Sequence, residues 1–325
     1  MSDVAFVILA FMIAVYVLLD GYDLGVAALA PFISRSDKDR AEAMHAIGPY
    51  WNGNEVWLIA AGGVSFALFP LAYASAFSGF YLPFMIVLWL LMFRGIAMEV
   101  REHFPSEIWH AFWDTAFSLS SALLILLFGV TIGNLVRGLP LHASGFFLGT
   151  FAFLLNPYAL AVGLFAVAAL TEHGATFLTM VASGEIAQRS RAAIGRLWWI
   201  VLALYLIVTI FTLAIRPVAF ARPWLALVAL VSLVAFVLLR TRLSGESRVA
   251  PFVCSTVFIA SLLVAAVGTI YPYLLPDFGG SGGLTIYAAS ASPHAMVWGI
   301  GATLVGLVAV STYSILAFRR LGAPA

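Results

Sequence analysis

Charge is the scarcest property of this sequence. Charged residues make up 10% of the 325-residue chain and hydrophobic residues 63%. A soluble domain carries roughly 25% charge. With a mean hydropathy of +1.05, a water-soluble globule is excluded and a polytopic membrane protein is expected. A basic excess is missing too. The formal net charge is +1, so nucleic acid finds no cationic face to bind. A single cysteine, Cys254, leaves no intrachain disulfide and no cysteine metal site. No CxxCH, P-loop or HExxH occurs. The opening MSDVAFV lacks a positive n-region and a small-residue cleavage site. The expectation is therefore the start of a first span rather than a removed signal peptide.

What is present is a succession of apolar runs. Runs of about 20 residues read as spanning helices. Nine are expected, at 4–30, 50–73, 78–101, 112–136, 150–182, 193–216, 220–240, 249–273 and 295–318. The run 220–240 is almost free of polar residues and reads as a lipid-facing peripheral helix. The longest loops are 34–48, 137–149 and 274–294, and none is large enough for an inserted soluble domain. The chain 1–325 is expected to be one polytopic membrane domain. The GGSGG stretch Gly279–Gly283 reads as a flexible external loop. If the N-terminus lies outside, all but Arg137, Arg216 and Arg222 of the 16 lysines and arginines fall at or near the cytoplasmic side. The positive-inside rule then sets the N-terminus outside and the C-terminus in the cytoplasm.

Against that apolar background the polar residues of 20–102 stand out. Ionisable groups inside spans are costly and usually face a bundle interior or a water-filled path. Asp20 and Asp23 are three apart and share a helix face, with Gly21 and Gly25 thinning the helix beside them. They form a polar seam, or they cap and pair near a helix end. Asn52 and Glu55 share a face by the same spacing, with Glu55 about 8 Å into its span. These residues read equally as a hydrogen-bond network or a proton path. Trp51 reads as an interface anchor, and Trp57 flanks the same motif. Arg94, inside the third span, needs a counter-ion from Asp20, Asp23 or Glu55. Glu99 with His103 reads as a solvated helix end. Pro157 kinks or starts the fifth span, and Glu172–His173 follows within it. No second intramembrane histidine is available to bracket a haem. No catalytic residue, metal site or redox centre is expected in the chain itself.

Read together, LDGYDLGVAAL, PYWNGNEVWLIAAGGVSFALFP, YASAFSGFYLP, FRGIAMEVR, LLNPYAL, HGATFL with SGE, and LTIYAASASP resemble subunit II of cytochrome bd-type quinol oxidases. The match is ordered from Asp20 to Arg320. The resemblance implies an all-α membrane fold of two four-helix bundles plus one further helix, in the bacterial cytoplasmic (inner) membrane. It implies a non-haem subunit whose partner, subunit I, carries two b haems and a d-type haem. It implies quinol oxidation on the outer side, oxygen reduction to water, and a proton route from the cytoplasm. Small single-helix accessory subunits, quinol and lipid are the other partners implied, and some members hold a structural quinone. Asp20, Asp23, Trp51, Trp57 and Arg94 match the family's polar-path or quinone-contact positions. One position departs: the family usually has WDGN, and here Asn52 replaces the aspartate. An amide cannot exchange a proton as a carboxyl does, so Glu55 or water must carry it, or the path conducts poorly here. Charges inside spans also suit a stand-alone proton- or cation-coupled transporter, and a purely structural scaffold is the third reading.

Overall fold

The structure, a computed structural model, describes residues 1–142, 144–217, 222–278 and 282–321, with side chains as far as Leu316. Among these residues eight helices are long and apolar enough to cross a membrane, nine if one sharply bent pair counts as a single span. The long helices are α1 (Ser2–Ile33), α3 (Trp51–Leu68), α5 (Tyr81–Val100), α6 (Glu107–Arg137), α8 (Pro157–Val181), α9 (Gly184–Ile215), α10 (Pro223–Arg242), α11 (Val249–Ile270) and α13 (Pro293–Leu321). Shorter helices connect them: α2 (Asp37–Ile47), α4 (Pro70–Gly79), α7 (Phe151–Leu154) and α12 (Ile286–Ala289).

Local chemistry sets most boundaries. Asn156 accepts from the Ala159 amide and Pro157 takes the first turn, so Pro157 starts α8 rather than kinking it. The stretch expected as loop 34–48 contains α2, because Ser36 and Asp39 close a capping box over its first turn. The expected span 50–73 stops at Leu68. Pro70 disfavours helical backbone at Phe69 and cannot donate to a continuing helix, and α4 leaves α3 at 120°. The expected loop 274–294 holds two antiparallel strands, β1 (Tyr273–Pro276) and β2 (Gly283–Thr285), followed by α12. The glycine-rich loop lies partly outside the described residues, which omit 279–281.

The long helices form four plus four plus one. α1, α3, α5 and α6 make one bundle, and α8, α9, α10 and α11 the other. α13 lies against α3 and buries little of itself. The peripheral helix is therefore α13. The run 220–240 instead packs as α10, burying Ser232, Ala235, Phe236 and Leu239. Trp198 of α9 stacks on Phe236 with ring centroids 4.9 Å apart. The bundles join where α8 packs against α1 and α6. A Cβ on Gly25 would overlap the Leu170 carbonyl, and one on Gly174 the Val26 amide, so only glycine allows this backbone approach.

The two ends of the molecule differ in charge. At one end Asp3 accepts hydrogen bonds from the Tyr271 and Tyr287 hydroxyls at 2.8 and 3.0 Å. There Arg216 donates to the Val136 carbonyl at 2.6 Å, and Arg222 donates to the carbonyls of Gly268 and Tyr271. These arginines satisfy the last carbonyls of α6 and α11, where a cation is favoured. Arg137 lies between the rings of Phe153 and Phe278, 4.9 and 4.7 Å from their centroids. The three arginines that break the sequence asymmetry thus share one end, where each has a structural task. The opposite end carries Arg101 and Arg189. Arg189 holds the Ile33 carbonyl at 2.9 Å and Asp39 at 2.6 Å.

Candidate functional site

The intramembrane charges converge on one guanidinium. Arg94 on α5 has no exposed surface. Asp20 of α1 receives its two terminal nitrogens at 2.6 and 3.0 Å, a bidentate geometry that is among the strongest ion pairs. Asp23, one turn on, lies at 3.9 Å and Glu55 of α3 at 3.6 Å. Three carboxylates from two helices therefore surround one cation. Asp20 and Asp23 are fully buried, whereas the Glu55 side chain keeps 22% of its exposure. Glu55 is thus the member through which the cluster meets the surface of the chain.

Asn54 ties the cluster together. Its amide nitrogen donates to Asp23 at 2.7 Å and to the Tyr22 hydroxyl at 2.8 Å. The second oxygen of Asp23 and Nε of Arg94 have no hydrogen-bond partner among the described residues. Trp51 is buried rather than anchored at an interface, with the Arg94 guanidinium 6.0 Å from its ring centroid. That is cation–π range, and the indole shields the ion pair from one side.

Asn52 is exposed and lies away from these contacts. The spacing of three residues that binds Trp51, Asn54 and Trp57 into one buried face leaves Asn52 outside it. That periodicity was visible in the sequence and marks Asn54 as the inward amide. Trp57 packs edge-on against Phe11 at 6.3 Å, nine residues and about 13 Å along α1 from Asp20. Its indole nitrogen is buried with no hydrogen-bond partner among the described residues. Glu99 is exposed and joins no ion pair among the described residues, which fits a solvated helix end.

A second charged cluster went unread in the sequence. Arg101, in the 3₁₀ turn that follows α5, is also fully buried. It binds Asp114 of α6 at 2.6 Å, Asp37 of α2 at 2.5 Å and Glu102 at 2.6 Å. His110 adds a contact to Asp37 at 3.2 Å. Its partners come from helices that only the fold brings together. Beside it, Asp39 accepts from the Arg35 amide and from Arg189, which holds its carboxyl down at about 2.

On α8, His173 is buried with both ring nitrogens engaged, by Ser255 at 2.9 Å and the Leu18 carbonyl at 3.1 Å. The carbonyl can only accept, so that nitrogen, Nε2, carries the proton and Nδ1 accepts from Ser255. No ring nitrogen is left for a haem iron. A cavity of about 210 Å³ lies among α6, α8, α9, α10 and α11. A second, of about 100 Å³, reaches Tyr16 and Gly21 beside Asp20. Both are lined by Ile132, Val162, Phe165, Leu262 and Ala266, so they adjoin, and their walls are mainly apolar.

A family model described as cytochrome bd terminal oxidase subunit II matches residues 1–321. The chain is similar to cytochrome bd-I ubiquinol oxidase subunit 2 of Escherichia coli (strain K12), at 39% identity over 181 residues, 54% of this chain and 48% of that one. To cytochrome bd ubiquinol oxidase subunit 2 of Bacillus subtilis (strain 168) it is 32% identical over 191 residues, 59% of this chain and 56% of the other. The chain spans about half the length of the curated relatives it matches. In fold it is similar to a chain of the bd oxidase of Geobacillus thermodenitrificans, with a TM-score of 0.81 over 98% of this chain and 97% of that one, at 20% identity.

Proposed function

Because this chain belongs to the cytochrome bd terminal oxidase subunit II family, we propose that it is the non-haem subunit of a bd-type quinol oxidase. The complex oxidises quinol and reduces oxygen to water. Its haems sit in a partner subunit I, and it works in the bacterial cytoplasmic membrane. The end carrying Arg101 and Arg189 faces the cytoplasm, in keeping with the positive-inside rule. The Ser2 end of α1 then lies outside and α13 ends at the cytoplasmic side.

The observation that carries the reading is the Arg94 cluster. One guanidinium faces three carboxylates where water is scarce. Three carboxyls against one guanidinium leave acids in excess of the cation, the arrangement a proton relay requires. Glu55 is its outlet and Asn54 orients Asp23 through a 2.7 Å hydrogen bond. Protons from the cytoplasm enter the cluster and leave it toward subunit I. Asn52 is outside this route, so its departure from the family's aspartate leaves the Asp20–Asp23–Glu55 relay intact. Arg94 fixes the geometry and keeps the site charged.

The adjoining apolar cavities suit the tail of a structural quinone. The walls are mainly apolar, and the larger cavity adds hydroxyl-bearing side chains, Tyr158, Tyr205, Thr212, Ser232 and Ser261 among them. Such a molecule would fill the joint between the bundles and take no part in proton transfer. Small accessory subunits would cover further lipid-facing helices.

Affinity purification through the end of α13 tests the proposal. A haem-bearing heterodimer with quinol oxidase activity is the expected result. A haem-free homo-oligomer that moves protons or cations by itself would replace it with a transporter.

A further inference from the structure

The second bundle holds an acid that the relay above does not use. Glu172 on α8 is 1% exposed, and neither carboxylate oxygen meets a hydrogen-bond donor among the described residues. Buried carboxylates are expected to be paired or hydrogen-bonded, because nothing else replaces the water they lose. An unpartnered one therefore carries its own proton or occupies a two-state position.

The surroundings decide what can reach it. α6 and α8 run antiparallel in close contact, with Gly129 against Gly163 and Gly133 against Ala159. Continuing that pairing brings Ser121 level with Glu172, and the Ser121 hydroxyl is likewise buried without a hydrogen-bond partner. Toward the cytoplasmic end, Arg240 stands in the last turn of α10. Arg240 approaches Gly195 of α9 and is itself exposed. It makes no ion pair within 4.0 Å among the described residues.

Most other charged groups on the elements packed against α8 are committed elsewhere or exposed; Glu42 of α2 is half-buried with no ion pair among the described residues. Asp20 and Asp23 of α1 belong to Arg94. Asp114 of α6 belongs to Arg101. Arg189 of α9 holds Asp39 and Glu185. Arg196 of α9 is exposed, and Arg191 is half-buried. His45 of α2 is exposed. His173 is held by Ser255 and Leu18.

We propose that Glu172 is a second proton-binding site, separate from the Arg94 cluster, which exchanges with the cytoplasmic face past Arg240. Its resting form is the neutral acid. When the proton leaves, the long Arg240 side chain turns inward and pairs with the carboxylate; when the proton returns, Arg240 is released to water. The proton is the only ligand, and no bond other than O–H forms or breaks. Val181, at the cytoplasmic end of α8, is nine residues away, about 13 Å, a depth a water chain and one arginine side chain can span together.

Infrared spectroscopy of the purified, full-length complex tests this. A band from a protonated, buried carboxyl should be present, should shift in D₂O, and should be lost in Glu172→Gln while surviving in Glu55→Gln. If Glu172→Gln fails to assemble, Glu172→Asp carries the test, and the band should then move in frequency. Arg240→Gln should keep the band and slow its exchange in D₂O; unchanged exchange would remove Arg240 from the proposal. A band unchanged in Glu172→Gln, or unmoved in Glu172→Asp, would overturn the site. So would a signal at Glu172 that is an ionised carboxylate in the resting complex.

Discussion

Arg94 and Arg101 stand about two helical turns apart on one continuous stretch of chain, and neither side chain has exposed surface. Their partners live in different media. Asp20 and Asp23 are fully buried with Arg94. Asp37 and Glu102, which grip Arg101, keep 55% and 59% of their side-chain exposure. The inner arginine holds its acids where charge is costly, and the outer one holds acids that water already stabilises. The same residue type therefore does two jobs. The inner cluster gathers more acids than cations, the feature on which the proposed proton relay rests. The outer cluster fastens α2, the 3₁₀ turn and α6 to one another at the membrane edge.

Removing each arginine should separate the two roles most strongly. Arg94→Leu strands buried carboxylates, and breaking such a pair costs roughly 3–5 kcal/mol. The amount of assembled complex in membranes, read from haem content, should fall sharply. Arg101→Leu should cost less, about 2 kcal/mol, because two of its three acids turn to water. Its thermal midpoint should drop while the complex still assembles. Equal losses for the two variants would erase the distinction.

Salt and acid sharpen the comparison at smaller amplitude. The Debye length falls from about 10 Å at 0.1 M to about 3 Å at 1 M. Raising salt should therefore weaken the Arg101 cluster and leave the Arg94 cluster nearly unchanged. The loss of thermal midpoint caused by Arg101→Leu should shrink at high salt, and that caused by Arg94→Leu should not. Smaller still is the effect at Asp39, whose carboxyl is held at about 2 against an ordinary 3.8 by the Arg35 amide and Arg189. A depressed carboxyl stabilises the fold fully above its ordinary value, and loses that contribution as pH falls through the folded value. Asp39→Asn should lower the thermal midpoint slightly at pH 7, and the difference should close between pH 4 and pH 2. Asn52→Asp should change neither assembly nor turnover measurably, since its side chain points away from the cluster.

Much of this was legible in the chain. Apolar length located the spans, and Arg94 announced its need for Asp20, Asp23 or Glu55. The bend at Phe69 was written in Pro70 but hidden by the hydrophobicity of both flanks. α10 read as peripheral because composition reports apolarity, which lipid and a packed bundle both satisfy. The Arg101 cluster escaped because Asp37 and Asp114 lie far from it along the chain and join it and Glu102 only once α2 and α6 are placed. The family pattern marks the substituted position, Asn52, whereas the three-residue spacing of Trp51, Asn54 and Trp57 makes Asn54 the inward amide.

Glu55, the partly exposed member of the Arg94 cluster, is the residue on which the proposed relay depends. Glutamine keeps its size and much of its hydrogen bonding but carries no exchangeable acid proton. Quinol oxidase turnover of Glu55→Gln, normalised to haem, is the direct measurement, with proton uptake recorded in the same preparation. Slowed oxygen reduction and slowed proton uptake, at normal assembly and haem content, are expected. Unchanged turnover and unchanged uptake would make these carboxylates structural and move the proton route into subunit I.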